Sequence, residues 1–298
     1  MLLERYDQVI IYGARGWVGR SAIHTLLQGN KSLVADGVIA IGSRSESPLD
    51  SGLPFHIYSS KDLKPLLKKN ILFLNAAYLR REKLLELKQS EYIAKNIEIM
   101  EFPKKLLLEK RIKTFINLSS GVVANVNLKH VNDIQDPYTR MKVIDEQEIM
   151  KLCMSSNTNL INCRIFSMSG KFLNEFRHLA LSSFILQAKQ LDRPIEVRSP
   201  KTLRSYIDSI DLVNVLLLLT LEERDFWIDS GGTLIQLGDL ADFISSRYSG
   251  SSVIKEFKSK KSDDYFGNLS EFNQLARSRG VHLLSIQEQI NQTIRAFI

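Results

Sequence analysis

Val9-Ile-Ile-Tyr-Gly13-Ala-Arg-Gly16-Trp17-Val18-Gly19 is the stretch from which the fold can be read. An apolar, β-branched run stops at a glycine, two further glycines follow at intervals of three, and a helical pattern continues to Gln28. Gly13 permits a tight turn after a strand. Gly16 lets the backbone come close to a pyrophosphate, and Gly19 allows a helix to pack closely on the strand. Arg15, Trp17 and Val18 lie within the same loop and helix start, where the N-terminal N–H groups and the positive end of the helix dipole favour an anion. A glycine-rich turn without a ligand is the plainer alternative. The position, at the first strand-to-helix junction, is what favours a dinucleotide.

Working outward, the second strand ends in Ile39-Ala-Ile-Gly-Ser43-Arg44. A site for both ribose hydroxyls usually places an acid there, and none is present. Ser43 and Arg44 can instead hold a 2′-phosphate, helped by Arg15, since a guanidinium suits bidentate phosphate binding. This predicts NADP(H) as cofactor rather than NAD. The fourth strand ends in Asn75-Ala76-Ala77, where small side chains leave room for a flat cofactor or for tight packing alone.

The pattern predicts strands at Gln8–Tyr12, Gly37–Gly42, Phe55–Tyr58, Ile71–Asn75, Thr114–Leu118 and Leu160–Phe166. Several are apolar throughout, as strands buried on both faces are. Helical patterns fall at Val18–Gln28, Arg81–Leu87, Glu91–Lys110 and Tyr138–Met154, with a kink or break expected at Pro103. The alternation gives an α/β fold, a Rossmann-like doubly wound parallel sheet. After about residue 170 the rhythm loosens. Glu175–Gln190 and Asp208–Leu221 read as helices, and Pro194–Ser199 and Leu203–Ile207 as short strands. The division expected is 1–170 for the NADP-binding domain and 171–298 for a smaller substrate-binding region, some segments of which return to the sheet. That region is expected over the carboxyl edge of the sheet, where ligands of open α/β sheets bind.

Composition removes other classes. Of 298 residues, 40 are Lys or Arg and 33 Asp or Glu, a net charge of +7. That charge is spread without a basic block interleaved with aromatics, so no nucleic-acid partner is expected. Cys153 and Cys163 form no CxxC pair or Cys/His cluster, so no metal is expected and both thiols should be reduced. The longest apolar run, Leu212–Leu221, is about half of what a membrane span needs. No basic segment followed by a long apolar stretch opens the chain, and a cytoplasmic protein is expected.

The chemistry is carried by Phe115-Ile-Asn-Leu-Ser119-Ser120-Gly121 and Pro137-Tyr138-Thr-Arg-Met-Lys142. Tyr138 and Lys142 are four apart and share a helix face. An ammonium beside a phenol favours the phenolate, so Tyr138 can exchange a proton with a carbonyl or alcohol oxygen while hydride moves to or from a nicotinamide. Ser120 or Ser119 would hold the same oxygen.

In this order the motifs resemble an extended short-chain dehydrogenase/reductase of the NAD-dependent epimerase/dehydratase family, over nearly the whole chain. Glu91-Tyr-Ile-Ala-Lys-Asn96 resembles the family helix whose asparagine lies near the active site. Arg164-Ile-Phe-Ser167-Met-Ser169-Gly170 resembles its post-strand segment, and Leu203-Arg204-Ser-Tyr-Ile-Asp208 a later arginine-bearing strand. The resemblance implies a nucleotide-linked sugar as substrate, with Arg204 near its phosphates and Ser119 and Ser167 near the sugar. It also implies dimerisation through Glu91–Lys110 and Tyr138–Met154. The chain departs from the family at Ser167 and Ser169, where asparagine and tyrosine are usual, at Ala124 and Asn125, which replace tyrosine-glycine, and at Asp208.

On this scaffold a 4,6-dehydratase would carry Thr-Asp-Glu where Ser120-Gly-Val122 stands, and a 3,5-epimerase would carry a cysteine near the serine loop. Neither is present. A ketoreductase that consumes NADPH is favoured, a 4-epimerase retaining NAD is the alternative, and a non-catalytic dinucleotide sensor the second alternative.

Overall fold

A computed structural model describes residues 2–29, 37–47, 56–62, 67–124, 126, 131–173, 179–190, 193–256 and 263–296. Phe55 and Asn125, and residues 175–178 of the expected helix Glu175–Gln190, lie outside the described residues. The chain forms two compact units, one of Met1–Arg164 with Leu216–Ile228 and the other of Ile165–Val215 with Asp229–Ile298.

The first unit is built on strands β1 (Gln8–Tyr12), β2 (Val38–Gly42), β3 (Ile57–Ser59), β4 (Ile71–Asn75), β5 (Ile112–Ser120) and β6 (Asn159–Ile165). They lie in the order β6-β5-β4-β1-β2-β3, and Phe226–Asp229 adds a seventh strand beside β6. The pairs of β1 with β2, β1 with β4, β2 with β3 and β4 with β5 are parallel. This is the doubly wound order with its reversal between β1 and β4, the point at which such sheets bind ligands. The apolar runs are central: Ile10, Ile11, Ile71, Phe73 and Phe115 are all fully buried. Helix α1 (Trp17–Gly29) follows β1, α2 (Gln89–Leu108) precedes β5, and α3 (Pro137–Ser156) precedes β6. The expected helix at Arg81–Leu87 is a short 3-10 turn, Arg81–Leu85.

Of the kink or break expected at Pro103, the break does not occur: α2 runs through that position. Proline at 103 cannot donate to the carbonyl of Ile99, and the ring crowds that carbonyl. The hydroxyl of Tyr12, at the end of β1, donates to the Ile99 oxygen at 3.0 Å. A side chain from a different element thus replaces the missing backbone donor. Burial pushes the Tyr12 phenol up to about 12, so it remains a donor across the physiological range. Tyr12→Phe is expected to leave that carbonyl unsatisfied and to cost about 1–3 kcal/mol of stability. Chemical denaturation of wild type and variant would measure the loss, and an unchanged midpoint would show that the carbonyl needs no partner.

The second unit contains a three-stranded sheet in which Leu203–Asp208 (β7) lies between Thr233–Gln236 and Ser167–Ser169, and a two-stranded pair of Ile195–Val197 with Val253–Lys255. Its core gathers Phe184, Ile185, Val197, Tyr206, Leu240, Ile244 and Ile290. Among the described residues no helix is long and apolar enough to cross a membrane.

Candidate active site

The glycine loop is held by backbone contacts that explain its composition. The N–H groups of Gly13 and Ala14 both donate to Ile41 O at 2.9 Å, and the Gly16 N–H donates to Gly13 O at 2.9 Å. Gly13 sits at φ +89°, and a Cβ there would lie 2.6 Å from the backbone of Ala76 and Ala77. The small residues after β4 therefore serve at least one purpose: they let that segment press against the turn, where the Ala76 N–H donates to Tyr12 O at 2.8 Å. A Cβ on Gly19 would lie 2.2 Å from Gly13 O, whereas one on Gly16 would meet the same oxygen at 3.2 Å. Trp17 and Val18 are buried and start α1.

At the end of β2, Ser43 and Arg44 are exposed. Arg44 Nε donates to Glu46 Oε1 at 2.8 Å, and the Arg15 guanidinium donates to the same oxygen. The structure thus brings the two arginines together around an acid, Glu46. A signal was available: Arg44 and Glu46 are two apart, and in extended chain such residues share a face.

Helix α3 places the tyrosine–lysine pair. Asp136 caps its N-terminus, Oδ2 accepting from the Thr139 N–H at 2.9 Å, and Pro137 occupies the first position, where no N–H is needed. Tyr138 is thereby fixed in the first turn. Lys142 is one turn on and buried, its Nζ donating to Leu118 O on β5 at 3.2 Å. That ammonium also lies 3.5 Å from the ring centroid of Tyr78, a contact of cation–π type. Tyr138 packs edge-on against the same ring, with centroids 6.1 Å apart. Tyr78, which sequence reasoning missed, is therefore the common floor of the pair.

Helix α2 fixes Tyr78 through its neighbour in the chain. The Leu79 N–H donates to Asn96 Oδ1 at 2.9 Å, and the Tyr92 hydroxyl donates to Leu79 O at 2.7 Å. Asn96, expected near the site, acts at this one remove. Burial lowers the Lys142 ammonium to about 8, while the Asp145 and Glu146 carboxylates oppose that shift. Burial in turn raises Asp145, and it raises the phenol of Tyr78 with help from the Asp145 charge.

A chain of side chains crosses three adjacent strands of the sheet. Asn75 on β4 donates to Asn117 on β5 at 3.4 Å, Asn117 donates to Asn162 on β6 at 2.7 Å, and Asn162 donates to Glu146 on α3 at 3.2 Å. Arg164 closes the chain on both Glu146 oxygens at 3.0 and 2.8 Å. Asn75 Oδ1 and Ser119 Oγ are buried and have no partner among the described residues. Ser120, by contrast, accepts from the Val122 N–H at 3.5 Å, opening the 3-10 turn Gly121–Val123.

The second unit carries the other two expected residues. Arg204, on β7, lines a cavity of about 550 Å³ with Arg198, Ser199, Thr202, Phe184 and Leu237. Its guanidinium donates to Asp263 O, and to Leu203 O at 3.1 Å. Ser167 begins the strand that pairs with β7, opposite Tyr206. Two departures from the family pattern have structural reasons: Ser169 donates to Gln289 at 2.7 Å, and Asp208 caps Ser209–Leu219 by accepting from the Ile210 N–H at 2.8 Å.

The family model described as NAD dependent epimerase/dehydratase matches residues 9–227. No curated protein matches the chain. Among solved structures, a UDP-N-acetylglucosamine 4-epimerase from Methanobrevibacter ruminantium, in complex with UDP-N-acetylmuramic acid, superposes with a TM-score of 0.74 at 17% identity over 97% of each chain. A GDP-D-glycero-L-gluco-heptose synthase from Campylobacter jejuni, in the presence of NADPH, gives 0.71 at 12% over 98% of each. The dTDP-glucose 4,6-dehydratase DesIV double mutant from Streptomyces venezuelae, with NAD bound, gives 0.70 at 14% over 97% of this chain and 96% of that one. At these identities the likeness establishes the fold.

Proposed function

The chain belongs to the NAD dependent epimerase/dehydratase family, and from that premise we propose that it is an NADPH-dependent reductase of a keto group on a nucleotide-activated sugar or deoxysugar. The observation that carries the cofactor choice is the meeting of Arg15 and Arg44 just past β2. The residues present fit a dinucleotide. The turn at Gly13–Gly16 and the start of α1 offer a pyrophosphate site, the two guanidinium groups suit a 2′-phosphate, and Asn75 Oδ1 and Ser119 Oγ, without a partner among the described residues, leave acceptor and donor capacity at the strand ends.

When bound, the nicotinamide supplies the hydride. Tyr138 gives its hydroxyl proton to the carbonyl oxygen as that oxygen gains charge. Lys142, whose Nζ donates to Leu118 O and lies over the Tyr78 ring, would stabilise the phenolate that remains and would hold a ribose of the bound cofactor. Ser120 holds the carbonyl oxygen. In the second unit, Arg204 and the cavity that it lines suit a nucleoside diphosphate. A homodimer through α2 and α3 fits the exposed Ile97, Leu108 and Met154 on those helices.

A 4-epimerase that retains NAD is the second reading, and Glu46 favours it, because an acid at the ribose end of the site suits free hydroxyls. Titration of the purified protein with NADPH and NADH separates the two. NADPH is expected to bind more tightly, and Arg44→Ala to lose about tenfold of that preference, the worth of one charge-assisted phosphate contact. Tighter binding of NADH, or NAD that copurifies, would move the epimerase ahead. Binding of neither would remove the enzyme reading.

A further inference from the structure

Glu46 is anchored more firmly than a surface acid requires. Its backbone forms an antiparallel bridge with Ile57 on β3, with hydrogen bonds of 2.7 and 2.9 Å in the two directions. Its carboxylate is 8% exposed, whereas the side chains of Arg15 and Arg44 that it holds are 47% and 72% exposed. Both guanidinium groups donate to the same oxygen, Oε1. Arg15 reaches that oxygen across Gly42, where a Cβ would lie 3.6 Å from Arg15 Cδ. A single buried anion thus anchors two solvent-facing cations, and the three charges sum to +1 rather than +2.

We propose that Glu46 is a specificity-determining residue, a resident counter-anion that limits how strongly this protein prefers NADP(H) over NAD(H). The inference rests on the reading that Arg15 and Arg44 receive a 2′-phosphate. Donor capacity does not limit the site, because each guanidinium carries five N–H groups and Glu46 engages them through one oxygen. The phosphate therefore joins the cluster without displacing Glu46. What it meets is a like charge that stays in place, within a few ångströms, on a buried group that salt screens poorly. NAD(H) lacks that phosphate and does not meet this repulsion. The carboxylate therefore narrows the difference between the two cofactors while it holds the arginines ready.

Glu46→Gln keeps the shape and one acceptor oxygen but removes the charge. In equilibrium titrations of the full chain, the variant is expected to raise the ratio of NADPH to NADH affinity by about tenfold, through tighter NADPH binding, with NADH affinity close to wild type. A ratio that stays the same or falls would overturn the proposal and leave Glu46 as a scaffold for the arginines. If the glutamine variant folds poorly, Glu46→Thr, a neutral residue suited to the bridge with Ile57, must move the ratio the same way. Failure of the underlying reading looks different: Arg44→Ala would then leave the wild-type ratio untouched, and this inference falls with it. A normal loss in Arg44→Ala beside an unmoved Glu46→Gln sinks this inference alone.

Discussion

Tyr138→Phe is expected to lower kcat for reduction of a nucleotide-linked ketosugar by about 10²–10⁴-fold, the usual contribution of a positioned proton donor, with NADPH affinity close to wild type. The substitution deletes one oxygen and keeps the ring that packs against Tyr78. The start of α3 is unaffected, because Asp136 and Pro137 set it. A loss confined to kcat would therefore report proton transfer, and a loss confined to NADPH affinity would show that Tyr138 only binds the cofactor. A pH profile adds an independent check. Burial lowers Lys142 to about 8, so its ammonium is present below that pH and disappears as pH rises through it. Wild-type reduction should fall over the same range. A rate that climbed through pH 8 would mean that neutral lysine is the active form, against the proposed role.

Gly19→Ala is expected to cost about 3 kcal/mol of stability, the upper end of overpacking penalties, and to abolish measurable NADPH binding. The added carbon would lie 2.2 Å from Gly13 O and 2.8 Å from Ala14 Cα, both backbone atoms. Neither can rotate away, so α1 must move off β1 and take with it the turn that receives the pyrophosphate. Gly16→Ala is the control. Its Cβ would meet Gly13 O at 3.2 Å, a contact relieved by a few tenths of an ångström, so the fold should tolerate it while the backbone loses its close approach to phosphate. Thermal unfolding and NADPH titration of both variants separate the roles of the two glycines. Equal stability losses would show that the third glycine has no special packing role.

Much of this architecture is legible in the sequence because it is local. The run from Val9 to Gly19 fixes a strand, a turn and a helix start through φ preference and side-chain size alone. Tyr138 and Lys142 fall on one face because a helix turns every 3.6 residues. The alternation of apolar runs and helical patterns is enough for a doubly wound sheet, since buried parallel strands need apolar residues on both faces.

The residues that tune the site are not local. Tyr78 reaches Lys142 because Tyr92 and Asn96 on a different helix hold the neighbouring Leu79 by both its backbone groups. The chain of amides from Asn75 to Glu146 exists only because β4, β5 and β6 are neighbours in the sheet. The Ile99 carbonyl, which Pro103 leaves without a backbone donor, is met by a hydroxyl that Tyr12 brings from β1. By itself, then, the sequence determined the strand–turn–helix units and the residue types that they present, since those follow from backbone sterics and hydrophobic periodicity over a few residues. Tertiary structure alone decided which charges face one another, above all that Arg15 and Arg44 share Glu46, because that meeting depends on β3 lying beside β2 and offering Ile57 to hold the acid in place.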